Sequence, residues 1–140
     1  MTKEKIAYFF ENLTKNTDLD HFRAIYDDLV EFKDPFNEVK SIESVYEVFA
    51  HMYRNLDNPR FVIKEYIANG NIGYVKWEFI FSFKNENRSN AFEGVSRLVM
   101  NEEGKVVEHI DFWDAAEHMY EKMPLIGWFM SKIKQKIVRS

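Results

Sequence analysis

Residues 108–117 read EHIDFWDAAE, and this stretch decides how the rest of the chain is interpreted. Alternate side chains of an extended strand point to the same face, so His109, Asp111 and Trp113 are predicted to share one face. Ionisable side chains seldom face a sheet interior unless they line a polar cavity or pair with each other. The pattern therefore predicts a pocket lined by an imidazole, a carboxylate and an indole. A structural ion pair between His109 and Asp111 is the alternative interpretation.

Four β-rich runs lead up to and include this stretch, at residues 60–68, 72–83, 91–100 and 105–112. The short turn sequences between them predict an antiparallel meander. In the second run one face is plainly apolar, and it carries Val75, Trp77, Phe79, Phe81 and Phe83. The opposite, outer face of the later runs is predicted to carry Val95, Val99, Val106, Glu108, Ile110 and Phe112. Such an exposed apolar face predicts a homodimer, with coverage by a C-terminal helix as the alternative.

Helical patterns precede the strands. Apolar residues recur at helical spacing over residues 6–13, and Asp18 is expected to cap a second helix. That second helix is predicted to carry Phe22, Ile25, Tyr26 and Leu29. A short strand at residues 30–35 follows, and Ser41 is expected to cap a third helix that ends near residues 57–59. Helical spacing returns at residues 115–122 and again from residue 126 onward, so the order of elements predicts an α+β fold.

The composition limits the class of protein. With 140 residues the chain fits one domain, 1–140, and its 16% aromatic content suits either a ring-lined cavity or an ordinary core. The absence of cysteine removes disulfides and thiolate chemistry, which favours a cytoplasmic location. A net charge of −4 argues against nucleic-acid binding, and no apolar run is long enough to span a bilayer.

Four motifs, taken in order, resemble the nuclear transport factor 2-like superfamily, which includes ketosteroid isomerases and SnoaL-like polyketide cyclases. They are residues 32–36 (FKDPF), Trp77, residues 101–106 (NEEGKV) and residues 111–114 (DFWD). The resemblance implies a cone-shaped α+β fold: a strongly curved, mostly antiparallel sheet wraps around the N-terminal helices, encloses a pocket and is followed by a C-terminal helix.

The resemblance also implies roles for individual residues. Asp34 matches the aspartate that serves as general base in ketosteroid isomerases, whereas the two oxyanion donors of that family align with Phe10 and Ser96. A phenyl ring cannot donate a hydrogen bond, so the same isomerisation mechanism is disfavoured. His109 and Asp111 match the polar pair of the SnoaL-like cyclases. The candidate catalytic residues are therefore Asp34 or Asp111 as base and His109 as acid or orienting donor; Asp34 as a turn-former is the alternative.

Six further residues are predicted to bind the ligand: Tyr26, Tyr53, Trp77, Phe79, Ser96 and Trp113. The two tryptophans are expected to sandwich a flat molecule. No cofactor is expected, and no metal either, because His109 and Asp111 supply only two ligands and His118 has no predicted aim. Glu93 and Arg97 are predicted to pair on the outer face.

These features predict a protein that binds a small apolar or aromatic molecule. The sequence leaves open whether it also catalyses an isomerase-like or cyclase-like proton transfer, or serves as a non-catalytic or protein-interaction module that uses the convex sheet face. The basic, amphipathic segment over residues 126–139 could contact an anionic membrane surface or pack on the domain or its partner subunit. We favour packing.

Overall fold

The computed structural model describes residues 1–114, which form three helices and six strands. The helices are α1 (Lys3–Glu11), α2 (Leu19–Arg23) and α3 (Ile42–Asn55). The strands are β1 (Tyr26–Lys33), β2 (Glu38–Lys40), β3 (Leu56–Asn69), β4 (Ile72–Phe83), β5 (Asn90–Met100) and β6 (Val106–Phe112). These elements confirm the α+β class and the curved sheet of the predicted cone. Within this part of the chain, no helix has the length and apolarity needed to cross a bilayer.

The six strands form one sheet in the order β2-β1-β6-β5-β4-β3. Strands β3 to β6 form the predicted antiparallel meander, and β1 pairs with β2 in the same antiparallel sense. Strands β1 and β6 run parallel, with Phe32 beside His109 and Lys33 beside Ile110. Because the carboxyl ends of parallel neighbours meet at one edge, residues that follow β1 lie close to the end of β6.

The helices pack on one face of the sheet and bury its apolar side chains. Helix α3 begins after Ser41, whose hydroxyl accepts a hydrogen bond from the Ser44 backbone N–H at 3.2 Å, as predicted. Its buried stripe consists of Ile42, Val45, Phe49 and Tyr53. The inward face of β4 is confirmed, with Val75, Trp77, Phe79 and Phe81 buried and Phe83 half-buried. The core therefore lies between the helices and the inner face of the sheet.

The second helix differs from its prediction. Asp18 caps it by accepting from the His21 N–H at 3.1 Å, but α2 ends at Arg23 and the chain turns into β1. The assignment of Ile25, Tyr26 and Leu29 to that helix is wrong. Ile25 lies in the turn after it, and the other two lie in β1, where Tyr26 is buried and Leu29 is exposed. Long-range pairing of β1 with β6 overrides the local helical spacing of these apolar residues.

A bulge changes the outer face of β6. Val106 was expected on that face, but it is fully buried. The register shift between Val99 and Met100 leaves one extra residue in β6, and Val106 therefore turns inward opposite Met100. Beyond the bulge the prediction holds, with Ile110 half-buried and Phe112 exposed.

The predicted ion pair between Glu93 and Arg97 is also wrong. Glu93 pairs with Lys76 of β4 at 3.6 Å, and Arg97 pairs with Glu108 of β6 at 2.9 Å. Residues four apart on one strand are separated by about 13 Å, whereas neighbouring strands bring side chains together.

The remaining differences are local. Strand β2 was not predicted, and β3 begins at Leu56, earlier than expected, with Pro59 inside a register shift that an edge strand tolerates. The interpretations placed on His118, on the helical patterns after residue 114 and on the basic segment over residues 126–139 lie outside the described residues.

Candidate functional site

A cavity of about 40 Å³ lies between α3, the end of β1 and the inner face of the sheet. Seven aromatic residues line it: Phe32, Phe49, Phe61, Trp77, Phe79, Phe92 and Trp113. Two carboxylates, Asp34 and Asp111, also reach it. A smaller cavity of about 20 Å³ adjoins it and is lined by Ser96 and His109. Since one water occupies roughly 10–15 Å³ on this measure, the larger cavity holds a chemical group of only a few atoms unless its walls move.

A series of hydrogen bonds runs behind this cavity across four strands, β4, β5, β6 and β1. The Trp77 Nε1 lies 2.8 Å from Ser96 Oγ, and Ser96 Oγ in turn donates to Asp111 Oδ1. His109 Nε2 lies 2.6 Å from the same carboxylate oxygen, and His109 Nδ1 lies 2.8 Å from the Tyr26 hydroxyl. The predicted contact between His109 and Asp111 is present, as one link of this longer series.

The chemistry of the groups assigns a direction to each bond in the series. An indole N–H can only donate, so the Ser96 oxygen accepts from Trp77 and its own hydrogen goes to Asp111. A carboxylate can only accept, so the second bond to Asp111 comes from the Nε2–H of His109. The Nδ1 of a neutral imidazole then accepts from Tyr26. The arrangement therefore satisfies a neutral histidine and an ionised Asp111 together, and it leaves no donor hydrogen of the series unused.

Aromatic rings enclose His109, which is 2% exposed. Its ring stacks on Tyr26 with centroids 5.9 Å apart and meets Phe32 edge-on at 4.8 Å. Burial, and next the charge of Asp111, raise the pKa of the Tyr26 hydroxyl well above its usual value. Tyr26 therefore stays protonated and acts as a donor behind His109, without reaching the cavity wall itself.

Asp34 follows the end of β1 and combines two of the predicted roles. Its Oδ1 accepts from the backbone N–H groups of Phe36 at 2.8 Å and Asn37 at 2.6 Å, so it does form a turn. The Asn37 side-chain amide adds bonds of 3.1 Å to each of its oxygens. Desolvation and then the charge of Asp111 raise the pKa of Asp34 to about 6, against the lowering effect of these hydrogen bonds. At neutral pH about one Asp34 in ten is therefore protonated.

The structure brings most of the predicted site residues together. Asp34, Asp111, Trp77, Phe79 and Trp113 line the larger cavity, while Ser96 and His109 line the smaller one. Two predicted ligand-binding residues do not line either cavity. Tyr26 lies behind His109, and Tyr53 lines a separate depression between the residues after α1 and helix α3. The Tyr53 ring lies 6.5 Å from that of Phe79, measured between centroids.

Phe92 changes the predicted ligand geometry. Its ring stacks on Trp113 with centroids 4.7 Å apart and meets Trp77 edge-on at 5.9 Å. The expected sandwich of a flat ligand between the two indoles is therefore wrong for this conformation, because the ring that contacts both indoles is the protein's own Phe92. Sequence reasoning missed Phe92, although strand alternation from Ser96 places it on the same face.

Gly94 lies between Phe92 and Ser96 on that face and leaves room for the indole ring of Trp77. A Cβ atom at position 94 would overlap the six-membered ring of Trp77, so the indole lies directly over the glycine backbone. This packing holds the indole N–H at Ser96. Among the described residues, no three His, Asp or Glu side chains are grouped as metal ligands.

Comparisons with known proteins give the following matches. A family model described as the SnoaL-like domain matches residues 6–109. No curated protein sequence matches the chain significantly. A Catenulispora acidiphila protein of ketosteroid isomerase-like fold, solved in complex with trimethylamine, has a TM-score of 0.72 at 11% identity, covering 85% of this chain and 92% of that one.

Two further solved structures are similar. A protein assigned as a SnoaL-like polyketide cyclase from Jannaschia has a TM-score of 0.70 at 15% identity, covering 83% of this chain and 87% of that one. TerC, co-crystallised with polyporic acid, has a TM-score of 0.67 at 16% identity, covering 81% of this chain and 90% of that one. At these identities the likeness establishes the shared fold alone.

Proposed function

Because the chain belongs to the SnoaL-like domain family, we propose that it binds a small apolar or aromatic molecule in the ring-lined cavity beside α3. The observation that carries the proposal is the meeting of seven aromatic side chains and two carboxylates in one concavity. Structurally similar proteins crystallised with trimethylamine and with polyporic acid support small-molecule binding in this fold. The aromatic walls supply the contact area, and the carboxylates orient the bound molecule.

Asp34 is the group we assign to proton exchange with the ligand. Its pKa of about 6 makes both of its forms accessible near neutral pH. In an isomerase-like or cyclase-like step its carboxylate takes a proton from a ligand C–H or O–H, and the electron pair stays on the ligand. The resulting carboxylic acid then returns the proton to a different ligand atom. His109, whose Nε2–H is engaged with Asp111, serves as an orienting donor and a positioning residue.

One observation favours binding without catalysis as the second candidate function. A developing oxyanion needs a free hydrogen-bond donor, and the donors of Trp77, Ser96 and His109 are all used within the series that ends on Asp111. Phe10 lines the smaller cavity and supplies no donor. For this reason binding is the primary proposal, and proton transfer depends on a ligand that needs no separate oxyanion donor.

The test is a thermal-shift screen of neutral apolar and aromatic compounds, including steroids, polyketides and flavonoids, against a matched pair of variants. Val48 lines the cavity, and Val99 is half-buried on the outer face of the sheet. We expect Val48→Phe to fill the cavity and abolish the stabilisation, whereas Val99→Phe retains it. At a ligand concentration of one hundred times Kd, that stabilisation is about 2.7 kcal/mol. A thermal shift that survives Val48→Phe would place the bound compound elsewhere.

We also propose that the outer sheet face pairs two copies of the chain. Phe112 is 56% exposed and Tyr74 is 47% exposed on this face, beside half-buried Val95, Val99 and Ile110. Sedimentation velocity is expected to give a dimer for the wild type and a monomer for Phe112→Glu. A wild type that sediments as a monomer at micromolar concentration would leave this face to another protein or to the C-terminal segment.

A further inference from the structure

We propose that the ligand presents a protonated amine to the cavity, held between Asp34 and Asp111 and against the surrounding aromatic rings. This inference rests on the proposed ligand site, and it specifies the charge of the group that the site recognises.

The charges around the cavity favour a cation. Asp34 and Asp111 line it, and none of the other described residues in its wall is charged. The charged side chains nearest the opening are Lys33 and Asp114, which line the open groove outside it. Helix α3 contributes only Val48, Phe49 and Met52 to the wall. Asp111 contacts His109, and none of the described basic side chains pairs with Asp34. Two carboxylates that face an apolar space in this way are best compensated by a positive ligand.

The free hydrogen-bonding capacity of the wall consists of acceptors. Both hydrogen bonds that the described residues give to Asp111 end on Oδ1, so its Oδ2 takes none from them. The Oδ2 of Asp34 accepts a single bond, from the Asn37 amide. The donors of Trp77 and Ser96 are already engaged. While both acids are ionised, a ligand carbonyl, phenolate or carboxylate would find no donor among the described residues of the wall, whereas an ammonium group can donate to both acids.

The aromatic rings of the wall also attract a cation. Phe92 and Trp113 stack beside the two acids, and Phe32 and Trp77 complete this part of the wall. The negative face of an aromatic ring attracts a cation within about 6 Å, most strongly when water is excluded. A volume of about 40 Å³ suits a head group of roughly three or four non-hydrogen atoms, which is the size of a substituted ammonium.

Isothermal titration calorimetry with three compounds that share a phenyl body tests the inference. The probes are 2-phenylethylammonium, 2-phenylethanol and phenylacetate, which carry positive, zero and negative charge. We expect the ammonium to bind at least tenfold more tightly than the alcohol, and phenylacetate to bind most weakly. The affinity of 2-phenylethylammonium is expected to rise about tenfold between pH 5 and pH 7 as Asp34 ionises.

Two isosteric variants and one control complete the experiment. Asp34→Asn and Asp111→Asn are each expected to reduce the preference for the ammonium over the alcohol by about tenfold, and Asp34→Asn also removes the pH dependence. Glu108→Gln removes one negative charge from the opposite face of β6, and we expect it to leave the preference unchanged.

The outcomes separate this inference from the function on which it rests. If 2-phenylethanol or phenylacetate binds as tightly as the ammonium, the charge assignment is overturned and the ligand site stands. If Glu108→Gln weakens the preference as much as the Asp34 variant does, long-range charge rather than the cavity governs it, and the inference also fails. Absence of binding by all three compounds would contradict the ligand site and the inference together.

Discussion

The two carboxylates of the cavity lie at the same edge of the sheet but in different surroundings. Asp111 lies within β6 and receives side-chain donors from Ser96 on the neighbouring strand and from His109. Asp34 lies beyond the end of β1, in a turn whose donors all come from Phe36 and Asn37. Side-chain donors from a neighbouring strand and from its own strand hold the first acid, whereas donors from within its own turn hold the second.

This difference shows how one residue type acquires two properties. Asp111 is held by side-chain donors from Ser96 and His109, and its charge acts on Asp34. Asp34 has the shifted pKa, raised by burial and by the nearby charge of Asp111. The charge of Asp111 therefore raises the pKa of Asp34, and separate variants can change each carboxylate.

The largest effect is expected from His109→Ala, which breaks the series that holds Asp111. The change enlarges the smaller cavity that His109 lines, and it removes one hydrogen-bond partner each from the Tyr26 hydroxyl and the Asp111 carboxylate. We expect the free energy of unfolding to fall by about 4 kcal/mol, measured by urea denaturation. The control is His21→Ala, an exposed histidine paired with Asp18, for which a loss under about 1 kcal/mol is expected. Equal losses in the two variants would contradict a structural role for the series.

Asp34→Asn tests the raised pKa of Asp34 through the pH dependence of the free energy of unfolding. In the folded protein its pKa is about 6, above the usual value of 3.8, so folding favours the protonated form. The stability that this group contributes is present below about pH 4 and is lost as the pH rises through 6. Because Asp34 is partly exposed, we expect the variant to be more stable than wild type by about 2 kcal/mol at pH 8 and nearly equal to it at pH 4. Denaturation curves that differ by the same amount at both pH values would contradict the pKa shift.

A comparison of Tyr26 with Tyr53 tests how much the buried series of hydrogen bonds stabilises the fold. The Tyr26 hydroxyl bonds to His109, whereas the buried Tyr53 hydroxyl has no hydrogen-bond partner among the described residues. Tyr26→Phe is expected to lower the free energy of unfolding by about 1.5 kcal/mol, and Tyr53→Phe to change it by less than about 0.5 kcal/mol. Both variants lose one hydroxyl oxygen, so the difference between their thermal denaturation curves reports the contribution of the Tyr26–His109 hydrogen bond. A larger loss for Tyr53→Phe would reverse the assignment.

Asn37→Ala makes the smallest change, because it leaves the turn backbone in place. It removes the two side-chain hydrogen bonds that lower the pKa of Asp34. We expect that pKa to rise above 6 by less than about one unit, measured from the carboxyl carbon shift in an NMR titration. The structural control is Asn12→Ala, the residue directly after α1, whose side chain bonds the Tyr8 carbonyl and which is expected to leave the titration unchanged. A fall in the pKa would contradict the account of the turn.

Strand alternation was enough to predict the shared face of His109 and Asp111, because the period of two is local. The same reasoning failed at Val106, where one extra residue reverses the alternation. The family resemblance, rather than any local pattern, identified Asp34. The bond between Tyr26 and His109 joins residues 83 positions apart, and the filling of the site by Phe92 depends on the register of three strands. The bond leaves no local signal, and local alternation gives only the face of β5 on which Phe92 lies, not the rings that it contacts.

The parallel pairing of β1 and β6 has a consequence for biosynthesis. Strand β6 is the last of the six to leave the ribosome, yet it inserts between β1 and β5. Until then the nascent chain carries two strand edges without neighbours, and such edges recruit other chains. The polypeptide that contains Asp34 must therefore wait for 77 more residues before Asp111 arrives beside it. We therefore expect pairing of these open edges with other chains to compete with the insertion of β6 during synthesis.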